Sequence, residues 1–162
     1  MVTAKKVIHY LSYLVYALIL LYLLICLPIL FKYNPLVVLS GSMKPTYSIG
    51  SIIYYKNYNN ENLKVGDIIT YRDNNNDLVT HRIVKINNDQ YRLKGDNNNT
   101  EDIFSISKNQ IVGIPAKINI KLLGYLINFI NKNIVISILF AIIVLASEFI
   151  LSNINIKEQV GE

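Results

Sequence analysis

Apolar residues are spread unevenly along this chain: two long apolar runs flank a middle zone where short apolar segments alternate with polar ones. The first run, Val7 to Phe31, is interrupted mainly by His9 and Ser12 and carries no charge after Lys6. With a rise of about 1.5 Å per residue it is long enough to cross a hydrocarbon layer of roughly 30 Å. It ends in LPILFKYNP, with bulky residues where a cleavable leader needs small ones, so it reads as an uncleaved anchor. The second run, Ile134 to Leu151, contains one charge, Glu148, and sits at the lower limit of length for a span. It predicts a second transmembrane helix, against the alternative of an apolar helix docked on the soluble part or lying in the interface. The preceding KINIKLLGYLINFINKN is amphipathic, a pattern suited to lying along a membrane surface.

The middle zone has the two-residue period of strands. GSIIYYK (Gly50–Lys56), GDIITYR (Gly66–Arg72), LVTHRIVKI (Leu78–Ile86), QYRLK (Gln90–Lys94) and QIVGIPAKI (Gln110–Ile118) are short and rich in Ile, Val, Thr and Tyr. Asn- and Asp-rich turns separate them: NYNNEN, DNNND, NND and GDNNNTED. Strands at this spacing, with no internal repeat and no βαβ alternation, predict a mainly β domain built as a partly closed sandwich or barrel.

Lys5 and Lys6 ahead of the first run put the N-terminus in the cytoplasm by the positive-inside rule. The segment from Lys32 to Asn133 then faces outside, and a second crossing returns Lys157 to the cytoplasm. The expected organisation is a cytoplasmic N-terminus (1–6), an anchor (7–31), an extracytoplasmic β domain (32–133), a second transmembrane helix (134–151) and a cytoplasmic tail (152–162), in a cell membrane. A chain of 162 residues suffices for one such domain. Its net charge of +5 is distributed along the sequence without a basic cluster or an aromatic stacking module, which argues against nucleic acid as a partner. The single cysteine, Cys26, rules out intrachain disulfides and cysteine-based metal sites.

Three short stretches carry candidate chemistry. His81 lies in the strand-like LVTHRIVKI, where the backbone is stiff and side chains alternate faces; a lone strand histidine is more often a packing residue than a functional one. His9, at the head of the first helix, reads as an interfacial residue. One histidine with scattered carboxylates does not make a zinc ligand set. Ser42 lies in SGSMKP, where Gly41 permits unusual backbone angles and Pro45 pushes Lys44 toward extended conformation. Such a turn can hold a hydroxyl out from the fold, yet a serine is a poor nucleophile until a neighbouring base takes its proton. In KGDNNNTED, Asp96 and Asp102 stand six residues apart. A carboxylate that accepts from one histidine nitrogen fixes the tautomer and leaves the other nitrogen free as a base.

Taken in order, SGSMKPT, GDIITYR, VTHRIV, YRLKGDNN and Asp102 resemble the ordered boxes of type I signal peptidases, behind an N-terminal anchor. The bacterial branch of that family carries a lysine base where this chain has His81-Arg82. The pattern therefore resembles the endoplasmic-reticulum type, which also occurs in archaea and some Gram-positive bacteria. Lys85 and Lys94 are the lysines to weigh against it, and neither occupies the box position. The resemblance implies a membrane-bound serine endopeptidase that removes signal peptides from exported preproteins. Ser42 would be the nucleophile, His81 the general base, and Ser40 the hydroxyl that joins the Ser42 N–H in an oxyanion hole. Asp102 is favoured as the partner orienting His81, with Asp96 building the loop and floor; the reverse order is open. Met43 and Ile49 would line pockets for small side chains before the cut, touch lipid, or serve the core. The implied partners are preprotein signal peptides and the lipid bilayer, with translocase or accessory subunits as further candidates; no cofactor or metal is implied. Alternatives are a peptidase dedicated to a few matrix or pilus-like precursors, and a non-catalytic anchored β binding module. A tethered peptidase cleaving itself or a repressor would need a lysine base and a cytoplasmic domain, which fits less well.

Overall fold

The computed structural model describes the backbone of residues 2–160 and the side chains of residues 5–153. The chain divides into two compact units, one spanning residues 26–128 and one formed by the flanking helices. Lys157, used in the orientation argument, lies outside the described side chains.

The first unit is a single antiparallel sheet of seven strands: β1 (Tyr33–Val37), β2 (Ile52–Asn57), β3 (Ile68–Arg72), β4 (Leu78–Asn87), β5 (Gln90–Lys94), β6 (Ile106–Ser107) and β7 (Ile111–Ile120). Their order is β1-β2-β7-β3-β4-β5-β6. The sheet curls, because edge strand β1 and the start of β4, not neighbours in the sheet, face each other across one groove. The period-2 pattern explains which side is packed. Ile69, Ile83 and Leu93 are fully buried, and with Tyr71, Tyr91, Leu63, Ile106 and Ile111 they form the main core cluster. Each such side chain contributes about 1.5–3 kcal/mol of burial. In the register of β3 with β4, Ile69 stands opposite His81, so the imidazole shares the packed face.

Five of the seven strands coincide with the segments expected from the sequence, with ends displaced by one or two residues. The strand over Tyr33–Val37 was not anticipated because Pro35 interrupts it. Proline is tolerated on a sheet edge, and β1 pairs only with β2. Strand β6 is two residues long and gives no periodic signal. One expectation is corrected: Lys117–Ile120 of the amphipathic stretch is the end of β7. The helix, α2, begins at Leu123 after left-handed Leu122 and runs to Lys132.

The second unit contains α1 (Val2–Cys26) and α3 (Ile134–Val160). Both contain stretches long and apolar enough to cross a membrane: Lys5–Phe31, which runs on past α1, and Ile134–Asn153. Pro28 enters just after α1, and Leu27–Phe31 continues as a 3₁₀ turn closed by left-handed Lys32. His9 Nδ1 lies 2.9 Å from Glu148 Oε1 and edge-on to Tyr13, so the one charge in the second apolar run is partnered across the helix pair.

Gly50 closes the long β1–β2 connection. Its N–H donates to Val38 O, its carbonyl accepts from Gly124 N–H, and its φ is 75°. A Cβ there would lie 2.1 Å from a Tyr125 ring carbon. Gly50→Ala is expected to lower stability by about 1–3 kcal/mol, read as an earlier thermal transition of the detergent-solubilised chain.

Candidate active site

Ser42 sits in the turn between β1 and β2, and three sets of contacts hold that turn. At its base Val38 N–H donates to Ser51 O. Inside it, Lys44 N–H donates to Gly41 O at 3.1 Å and Tyr47 N–H to Met43 O at 2.8 Å, and the Lys44–Pro45 peptide is cis. Beneath it, Met43 and Tyr47 are buried against fully buried Ile53. The turn is thus pinned while the half-buried Ser42 and the exposed Ser40 look outward, their hydroxyl oxygens 3.2 Å apart. Ile49 is half-buried beside Gly41, 3.6 Å from where a Gly41 Cβ would lie.

His81 is buried on β4, with 7% of its surface exposed. Its Nδ1 lies 2.6 Å from Asp102 Oδ2. The same carboxylate oxygen accepts a hydrogen bond from the Tyr71 hydroxyl at 3.0 Å. Burial works to raise the Asp102 carboxyl, but the hydrogen bond and field of His81, with the Tyr71 hydroxyl, outweigh it and hold the group below the usual carboxylate range. Burial and the adjacent Asp102 charge push the Tyr71 phenol far above its ordinary value, so it stays protonated and donating. The second imidazole nitrogen is left for another partner, the arrangement a general base requires.

Asp96 meets a different residue. Arg82 Nε and Nη2 donate to its two oxygens at 2.8 and 2.7 Å, and the Thr46 hydroxyl donates to Oδ2. The Arg82 hydrogen bonds hold the Asp96 carboxyl below its usual range against burial, and Thr46 adds to them. Arg82 Nη1 also donates to Gly66 O at 2.7 Å. Of the two aspartates, then, Asp102 contacts the imidazole and Asp96 contacts the guanidinium beside it. The loop carrying both also touches Ser42. Asn97 N–H donates to Ser42 O at 2.7 Å, and a Cβ on Gly95 would sit 2.7 Å from that carbonyl oxygen. Only glycine allows this approach.

Ser42 opens into a groove of about 550 Å³ walled by Leu36–Ser40 on one side and Asn76–Thr80 on the other, with Met43 and Tyr47 among its lining. The backbone of β1 bounds it with one unpaired edge, since β1 bonds only to β2. Lys85 and Lys94 stand opposite Arg92 and Arg82 in the β4–β5 pairing, and neither is among the groove's lining residues. Tyr71, Thr46 and Asn97 were not singled out from the sequence. Their contributions come from register and from a backbone N–H, which residue identity does not reveal.

Residues 10–97, more than half of the chain, match the family described as signal peptidase, peptidase S26. Among curated relatives, Signal peptidase I W of Bacillus subtilis is 38% identical over 89 residues, covering 52% of this chain and 47% of the relative. The signal peptidase complex catalytic subunit SEC11 of Candida tropicalis is 34% identical over 117 residues, covering 64% of this chain and 69% of the relative. The human subunit SEC11C is 33% identical over 72 residues, 41% of this chain and 38% of its own. The match thus spans about half of the Bacillus relative and more than two thirds of the yeast one. With an ordered serine, histidine and aspartate set on a curled antiparallel sheet and a family match through most of that set, this chain belongs to the type I signal peptidases of the S26 family, in the branch shared by endoplasmic-reticulum and Gram-positive enzymes.

Proposed function

We propose that this chain is a membrane-anchored serine endopeptidase that removes signal peptides from exported preproteins at the outer face of a cell membrane. The observation that carries the reading is the buried His81–Asp102 pair, on a strand whose preceding residues wall the groove that holds Ser42. Asp102 fixes the proton on Nδ1, so Nε2 is the base that takes the Ser42 proton as Oγ attacks the scissile carbonyl. The resulting oxyanion is met by the Ser42 N–H and the Ser40 hydroxyl. His81 then passes its proton to the departing amine, and water releases the acyl group from Ser42 by the reverse sequence. The substrate lies extended along the free edge of β1, as an added strand with alternate side chains in the groove. Met43 shapes the groove floor, and Ile49 supports the turn from beside Gly41.

The two apolar helices anchor the enzyme, with N-terminus and tail in the cytoplasm and the β domain outside. Ser42 follows closely in sequence after the end of the first apolar stretch at Phe31. A signal peptide is cut just beyond its own apolar stretch, so nucleophile and cleavage site meet near one membrane surface. Confining both to that surface raises their effective concentration. The relatives named as catalytic subunits of a signal peptidase complex support accessory subunits as partners.

Ser42→Ala and His81→Lys are each expected to lower preprotein cleavage by on the order of 10⁴-fold or more, in an assay with the purified chain in micelles. Ser40→Ala should cost on the order of 100-fold. Persistent cleavage by Ser42→Ala would remove the assignment.

Tyr71 acts as a positioning residue through Asp102. Tyr71→Phe should lower kcat/KM by about 3–10-fold, the worth of one hydrogen bond. It should also move the acid side of the pH profile to higher pH, because Asp102 loses one of the donors that keep its carboxyl ionised. A purely structural role would leave that profile in place.

Asp96 organises the loop. Arg82 is partly exposed to water, which weakens the pair, so Asp96→Asn is expected to cost about 1–2 kcal/mol at neutral pH. The folded carboxyl titrates below the unfolded value of about 3.9, so its contribution is complete above that value and is lost as pH falls through the lower folded one. The stability gap between wild type and Asp96→Asn should therefore close below about pH 4, as followed by denaturant unfolding in micelles.

A further inference from the structure

A second groove, of about 850 Å³, draws on the same β3–β4 hairpin as the first and is not accounted for by the residues before the cut. Its walls are the tip of the β3–β4 hairpin at Asp73–Asn75 and the loop from Asn97 to Ile106. Two features place it near the site. The hairpin that supplies Asp73–Asn75 here supplies Asn76–Thr80 to the Ser42 groove. Asn97, which lines the second groove, donates its N–H to the Ser42 carbonyl at 2.7 Å. Asn97 thus ties the turn that carries Ser42 to one wall of the second groove.

The linings differ in chemistry. The first is largely aliphatic, with Leu36, Val38, Leu39, Leu78 and Val79. The second combines five Asn and the exposed apolar side chains Ile103 and Phe104 with the carboxylates Asp73, Glu101 and Asp102 beside Tyr71, against the single carboxylate Asp77 in the first. No lysine or arginine is among its lining residues. Asp102 is committed to His81 and Tyr71, and Asp73 Oδ1 accepts the N–H groups of Asn75 and Asp77. Glu101 is the most exposed of the three. Arg92 pairs with it at 3.4 Å, donates to the carbonyls of Asp102 and Ile103, and is not among the groove's lining residues. Three carboxylates against one neighbouring arginine leave the groove with a net negative field.

We propose that this second groove binds the first residues of the mature protein, on the carboxyl side of the scissile bond, and that Glu101 and Asp73 select basic or uncharged residues there over acidic ones. The proposal rests on the peptidase reading above. It follows from where each part of a preprotein belongs. The residues before the cut trail an apolar helix and suit the aliphatic groove, and those after it enter water and suit the polar one. The same field favours the new terminal ammonium, formed once the C–N bond of the acyl carbon held by Ser42 Oγ has broken and the released amine has taken up a proton from water.

The test uses the full chain in a non-ionic detergent and two quenched peptides identical before the cut, with either lysine or glutamate at the second and third positions after it. The lysine peptide is expected to have the higher kcat/KM, by about tenfold at low salt, with the ratio shrinking as salt screens the charges. Glu101→Lys should bring that ratio to one or below. Ser42→Ala, which should abolish cleavage of both peptides, examines the parent reading separately. Equal Ser42-dependent rates for the two peptides would overturn the groove proposal and leave the peptidase standing. If wild type cleaves neither peptide, the parent reading fails, and fluorescence anisotropy of short labelled mature-side peptides on the Ser42→Ala chain decides the groove. Tighter binding of the lysine peptide, lost in Glu101→Lys, supports it; equal or absent binding overturns it.

Discussion

The Arg82–Asp96 ion pair is the contact on which the geometry of the site depends. Its two parallel hydrogen bonds fix the loop after β5 against the residue next to His81. A third donor of the same guanidinium holds Gly66 O, at the entrance to β3. From that fixed point the loop extends one contact to Ser42 through Asn97 and another to His81 through Asp102. The serine turn and the histidine strand belong to separate parts of the chain, and this loop is what sets one against the other. Lysine at position 82 could not replace the arrangement, because a planar fork supplies three directed donors and an ammonium does not. Displacements of about 1 Å between reacting groups already cost orders of magnitude in rate, so in the proposed mechanism the rigidity of this loop bears directly on catalysis.

The two carboxylates of the loop are both kept ionised, by different means. Asp96 faces a permanent cation and a threonine hydroxyl, and its charge serves structure. Asp102 is paired with an imidazole, a weaker and variable partner, within an environment whose burial opposes its charge. The Tyr71 hydroxyl supplies the extra donor that such a carboxylate needs. The phenol itself is kept protonated by the same burial and the same neighbouring charge. A position next to the packed core thus yields an aspartate that remains a hydrogen-bond acceptor for the histidine.

The β domain presents a largely aliphatic groove that holds Ser42 and a second, more acidic one beside the loop that carries Asp102. That pair mirrors the substrate class proposed for it, a chain that passes from an apolar segment into a soluble protein. Specificity in this reading arises from surfaces on either side of one bond, where a single β-hairpin faces Leu36–Ser40 across one groove and the loop after β5 across the other.

Local pattern was sufficient for the two long apolar helices, for five of the seven strands and for the stretches holding Ser42, His81, Asp96 and Asp102, but not for the start of α2. Hydrophobic periodicity and turn chemistry act within a few residues, so they are legible without a fold. The edge strand with Pro35 escaped that logic, since only its place at the sheet margin makes a proline acceptable there. The division of labour between Asp96 and Asp102 also escaped it. Both stand in the same polar loop, and their neighbours Arg82 and His81 are adjacent in sequence but point to opposite faces of β4. Tyr71 reads as an ordinary strand tyrosine until the β3–β4 register sets it near His81 and the loop after β5 brings Asp102 to both. The sequence determined which side chains were available. Long-range pairing, which no local period encodes, decided which of them meet and where the two grooves run.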